Sequence, residues 1–123
     1  MPVSFGMRNE ENERINSVLK QLTALTFVPE DWSDADILTQ LKKIGLPLET
    51  LVNIQSDDLN SYLRNYNFDW ANMELFADLL VAFSAKAEYE SLKPKAAALY
   101  NFIQQESKMF SFEIMGKVNA LKP

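Results

Sequence analysis

The chain of 123 residues is 47% hydrophobic and 24% charged, the proportions of a soluble globular domain and enough, at 14.1 kDa, to fold around one core without metal or disulfide staples. It contains no cysteine and no histidine, which removes disulfide frameworks, thiol nucleophiles, zinc fingers, histidine-ligated haem and every Ser-His or Cys-His catalytic pair. Twelve basic against 17 acidic side chains leave a net charge of −5 and a pI near 4.7, a field that repels phosphate backbones, so no nucleic-acid partner is expected.

Residues 1–8 read as a flexible N-terminus and 9–123 as a single all-α domain. The opening Met1 to Arg8 lacks the apolar core of a signal peptide, and no stretch approaches the ~18 apolar residues that cross a bilayer, so the expectation is a cytoplasmic protein without a membrane partner. From Asn9, read as an N-cap with Glu10, Glu11 and Glu13 in the positive first turn, an apolar stripe runs Ile15, Val18, Leu19, Leu22, Leu25 and ends near Phe27 before Pro29. Ser33 with Asp36 resembles an acidic capping box, and the stripe Ile37, Leu38, Leu41, Ile44 stops at Gly45 and Pro47, the pattern of a left-handed helix end.

A short helical piece at 48–53 precedes Ser56, read as the cap of a helix with Asp57 and Asp58 in its first turn and Leu59, Tyr62, Leu63 and Tyr66 on its apolar face. Residues 65–68 form the next joint. Asp69 caps a helix from Trp70 to about Ala87, so apolar on all sides that it reads as central. Pro94 suits the first turn of a helix over 95–107 with Ala96, Leu99, Phe102 and Ile103 inward, and Ser111 caps 112–121 with Met115, Val118 and Leu121 on one side. Sustained period-two alternation and hairpin dipeptides are lacking, so the expected fold is an all-α bundle of about six helices.

The succession of Asp36 to Leu41, the Gly45-Leu46-Pro47-Leu48 stop, the Ser56-Asp57-Asp58-Leu59 segment and the run from Leu75 to Phe83 resembles a family of small uncharacterised bacterial helical proteins. The resemblance covers residues 36–121 and implies that the C-terminal part is a degenerate tetratricopeptide-like helix pair, with Leu79 and Phe83 meeting Ala96 and Tyr100. It implies no reaction.

Candidate sites are few. Glu30, Asp31, Asp34 and Asp36 suggest calcium, but an EF-hand counted from Asp31 needs glycine and glutamate where the chain has Asp36 and Lys42; helix capping explains them. Glu74 and Asp78 share a helix face, as paired acid-base carboxylates or as a solvent strip. The three glycines are too far apart for a phosphate loop, so no cofactor or metal is expected.

The most distinctive local feature is the ring series Tyr62, Tyr66, Phe68, Trp70, a candidate partner-binding surface or a joint packed on the core. Residues 1–92 carry 7 basic and 15 acidic groups, net −8, and residues 93–123 carry 5 and 2, net +3. Opposite ends of this kind, with Ile114 expected to be exposed off the last helix's stripe, suggest a weak homodimer. The expected function is a non-enzymatic protein-protein interaction module receiving a peptide or partner helix. The alternative is a small acidic inhibitor or immunity-type protein that masks a basic enzyme surface.

Overall fold

The computed structural model describes residues 3–27, 32–109 and 111–121, with side chains from Glu10 onward. Seven α-helices occur among those residues: α1 (Val3–Leu25), α2 (Asp34–Leu41), α3 (Leu48–Asn53), α4 (Ser56–Asn65), α5 (Trp70–Phe83), α6 (Leu92–Ser107) and α7 (Phe112–Ala120). Short 3-10 turns at Lys42–Ile44 and Ala87–Tyr89 follow α2 and α5, and the described residues contain no strand.

The apolar stripes meet in one core. Ile15, Leu19 and Leu22 of α1, Ile37 and Leu41 of α2, and Leu59 and Leu63 of α4 are buried in the same cluster as Phe76, Leu80 and Phe83 of α5. Each such side chain contributes about 1.5–3 kcal/mol by leaving water. α5 and α6 form the most extensive helix pair; α1 lies across α5 and α2, α4 rests on α6, and α7 packs on α6. α5 therefore has helices on several sides, which is why apolar residues surround its axis.

Helix ends are where local chemistry acts most visibly. The Asp69 carboxylate accepts a 2.7 Å bond from the Asn72 amide, and the Ser111 hydroxyl accepts one of 3.2 Å from the Ile114 amide. Both satisfy amides that the first turn leaves unpaired. After α2 the chain turns at Gly45 with φ +73°; its amide donates to Lys42 O and the Leu46 amide to Leu41 O, a Schellman end with Leu46 buried. α4 ends the same way, with Asn67 left-handed and the Phe68 amide donating to Leu63 O.

Several boundaries differ from the sequence reading. α1 opens at Val3, so Asn9 lies inside it and residues expected in a flexible N-terminus are helical. Ser56 is the first residue of α4, whose N-cap is Gln55, and Ser33 occupies the cap of α2 without a side-chain cap bond. α5 stops at Phe83, four residues short of Ala87; Ser84 follows, its hydroxyl turned back onto Val81 O at 2.6 Å. Pro29, Glu30 and Asp31 lie outside the described residues, as do Phe110, Lys122 and Pro123.

Candidate functional site

The ring series is taken up by the joint it spans. Phe68 is buried and meets Phe76 edge-on with centroids 6.0 Å apart, while Tyr62 and Tyr66 stack at 5.6 Å. The Tyr62 hydroxyl donates to Ile44 O at 2.9 Å, and burial raises its pKa. Arg14 reaches from α1 to the Tyr66 hydroxyl (3.2 Å) and to Lys43 O (3.0 Å). The Arg64 guanidinium lies 4.0 Å from the Trp70 ring centre and donates to Phe68 O, and Trp70 packs against Phe102 of α6. Tyr62, Tyr66 and Trp70 are partly buried against the core, so the four rings clasp α1, α4, α5 and α6 to one another.

A second ring cluster secures the start of α2. Trp32 is stacked on Tyr89 with centroids 5.9 Å apart, and Lys86 sits over its face at 3.9 Å while donating to Trp32 O and to the Asp34 carboxylate (3.0 Å). The Tyr89 hydroxyl donates to the other Asp34 oxygen at 2.7 Å. That bond, assisted by Lys86 and opposed by burial, lowers the Asp34 pKa; burial and the Asp34 contact push Tyr89 up to about 12. Asp34 is thereby engaged in joining α2 to the α5–α6 connection. Among the described residues, no group of three or more carboxylates is placed to hold a metal ion.

In a third cluster the Glu74 and Asp78 pair marked in sequence meets partners that the sequence reading did not name. Glu74 and Asp78 of α5 receive the Lys117 ammonium of α7 at 2.7 and 3.1 Å, and the Tyr100 hydroxyl of α6 donates to Asp78. Burial, then the Asp78 bond and the neighbouring carboxylates, hold the Tyr100 phenol far up in pKa. Burial works against the Lys117 cation, but its bonds to Glu74 and Asp78 outweigh that and raise its pKa. A protonated phenol, an ammonium and two carboxylates that satisfy one another form a clamp across three helices. Its partners lie 22 to 43 residues apart, a separation no local spacing reveals.

The two helices that supply Tyr100 and Lys117 also border an open groove with a largely apolar lining. A groove of about 660 Å³ runs between α6 and α7, with Pro94, Ala97, Val118 and Leu121 in its lining and Glu90, Lys93 and Asn101 at its polar rim. Ile114, expected to face solvent, is only 5% exposed; the helix turns Ile114, Lys117, Val118 and Leu121 toward the body and leaves Phe112 84% and Met115 44% exposed. An i, i+3, i+4, i+7 face that includes the clamped lysine displaces the Met115 stripe, because Lys117 has its counter-charges on α5. Met109, just before α7, is 70% exposed. On another side, a polar groove of about 650 Å³ between α1 and the start of α5 is lined by Asn12, Asn16, Gln21, Asp69 and Asn72, several of which bond to each other.

Compared with known proteins, the chain matches no family model, no curated protein and no solved structure. Among the described residues, no helix is long and apolar enough to cross a membrane.

Proposed function

We propose that the protein is a non-enzymatic interaction module whose C-terminal face receives a peptide or a partner helix. The observation that carries this reading is the open apolar groove between α6 and α7, bordered by a helix that also exposes Phe112 and Met115. Its volume lies in the range of ligand sites, and an apolar floor with a polar rim suits the anchor side chains of an amphipathic helix. The resemblance to a tetratricopeptide-like pair fits an interaction module in general, Leu79 and Phe83 of α5 and Ala96 and Tyr100 of α6 all being buried in this closely packed helix pair. The ring series Tyr62, Tyr66, Phe68 and Trp70 belongs in this reading to the scaffold and not to the site.

Affinity capture compared across variants tests it. A partner of the groove is retained by the wild-type chain and by Gln21→Glu in the polar groove, and is lost with Ala97→Glu or Val118→Glu while the helical circular-dichroism spectrum persists. A partner retained equally by all four chains places binding elsewhere. The exposed Glu49, Asp57 and Asp58 at the α3–α4 edge favour a second reading, an acidic inhibitor or immunity-type protein docking there on a basic enzyme surface. Asp57→Asn with Asp58→Asn then slows association and weakens its salt dependence, whereas the groove variants leave it unchanged.

A further inference from the structure

We propose that the occupant of the α6–α7 groove is an extended peptide that lies along α6, with apolar side chains in the groove and a carboxylate on Lys108. Such an occupant presupposes binding at the groove and narrows it from any peptide or helix to one form. The first observation is that the groove continues past its rim. Asn101, which borders it, also borders a second open depression of about 490 Å³ whose other walls are Gln104, Gln105 and Lys108. Pro94, Ala97, Asn101, Gln105 and Lys108 succeed one another at intervals of three or four residues, so they follow one face of α6 to its C-cap. At 1.5 Å per residue that face runs about 21 Å, the reach of about six extended residues.

The chemistry changes along this track. Its first part is apolar, where Val118 and Leu121 of α7 line the groove together with Pro94 and Ala97. Its second part consists of carboxamides. Asn101 and Gln105 are exposed and their side chains bond to nothing among the described residues, whereas the Gln104 oxygen already accepts from the Ser111 amide. A helical partner has its main-chain N–H and C=O groups committed to itself and gives such carboxamides no backbone to bind. An extended chain offers one of each per residue. Its two-residue repeat of about 6.6 Å nearly matches the rise of about 6 Å between Asn101 and Gln105, and its alternate side chains all point to one face.

Charge sets the direction. Glu90 and Lys93 offset each other at the apolar end. At the far end Lys108 makes no ion pair among the described residues, in contrast to Lys117 on Glu74 and Asp78 and to Lys95 on the carbonyls of Leu51 and Val52. The unit charge of Lys108 outweighs the opposite charge of about one half at the α6 C-terminus, so this end is net positive and takes an anion. A carboxylate about six residues from the first apolar anchor meets it, supplied by an Asp or Glu side chain or by a chain terminus.

The test uses the intact chain, immobilised, and a soluble library of random decapeptides with free C-termini, from which retained peptides are sequenced. The expected binders carry apolar residues at two alternate positions and a carboxylate about six residues from the first. Titrated in solution, the best of them loses binding with Ala97→Glu. It weakens about threefold or more with Lys108→Glu, and by a similar factor with Asn101→Ala combined with Gln105→Ala, while each variant keeps the helical circular-dichroism spectrum. Amidating the peptide's C-terminus weakens binding where the terminus is the anion, and replacing its Asp or Glu by the amide weakens binding where a side chain is. Bound peptide shows strong sequential Hα–HN and weak HN–HN transferred NOEs, the signature of an extended chain. Binders that need Ala97 but are unmoved by the Lys108 or the carboxamide variants, or that are helical when bound, overturn the extended occupant and leave the groove reading standing. A library that yields no binder sensitive to Ala97→Glu overturns both.

Discussion

At Gly45 the backbone takes φ +73°, and a Cβ built there lies 2.6 Å from the Tyr62 hydroxyl oxygen, which is itself held on Ile44 O. At Gly116, inside α7, a Cβ meets nothing within 4 Å. Gly45→Ala is therefore expected to lower stability by about 1–3 kcal/mol, through left-handed strain and displacement of Tyr62. Gly116→Ala is expected to raise it by about 0.5–1 kcal/mol, because a helix interior favours alanine. Urea unfolding of both variants checks the pair, and equal effects would contradict the geometry. Phenols supply a second test at this scale. Tyr62, Tyr89 and Tyr100 are all raised in the folded chain, Tyr89 to about 12. A raised pKa gives stability that is fully present below the unfolded value near 10 and is lost as pH rises through the folded value. Lys117, also raised, acts in the same sense, and Lys95, lowered by burial, in the opposite one. Unfolding free energy is expected to fall from pH 10 upward, with a shallower fall in Tyr89→Phe; an unaltered slope in that variant would show that Tyr89 is not coupled to folding.

Among elements, α5 buries seven side chains, Asn72, Met73, Phe76, Ala77, Leu79, Leu80 and Phe83. Leu80 and Phe83 are fully buried in it, so Leu80→Ala is expected to cost about 2–5 kcal/mol and Phe83→Ala about 3–5 kcal/mol in denaturant unfolding. Losses below half a kcal/mol would place that face at the surface. Such elements were readable in advance because their signals are local: a 3.6-residue stripe for α1 and α5, Asp69 and Ser111 at N-termini, Gly45 at a C-terminus. Where the outcome depended on distant groups, local reading failed. Ser33 and Ser56 have the right chemistry for caps, yet neither makes a side-chain cap bond. The inward face of α7 was misassigned because a wheel that counts only apolar residues skips Lys117, whose carboxylate partners are about 40 residues away on α5. Of the proposed site, Val118 and Leu121 were marked in sequence as one stripe of the last helix, but the groove itself exists only where α7 lies along Pro94 and Ala97 of α6.

Over the whole molecule, the acidic body and the basic C-terminal stretch meet inside the chain. The net +3 of residues 93–123 is partly spent within the fold, with Lys117 on Glu74 and Asp78 and Lys95 on the carbonyls of Leu51 and Val52. The charge asymmetry thus helps to fasten α6 and α7 to the rest, and the surface those helices leave is the apolar groove. In the proposed function, partners arrive at this groove. Photo-crosslinking inside living cells tests it most directly, with a photoreactive residue placed at Asn101 on the groove rim or, as control, at Gln21 in the polar groove on the other side. Binding at the groove gives a discrete higher-mass adduct to another protein from position 101 and none from position 21. The same adducts from both positions, or none from 101, would contradict it.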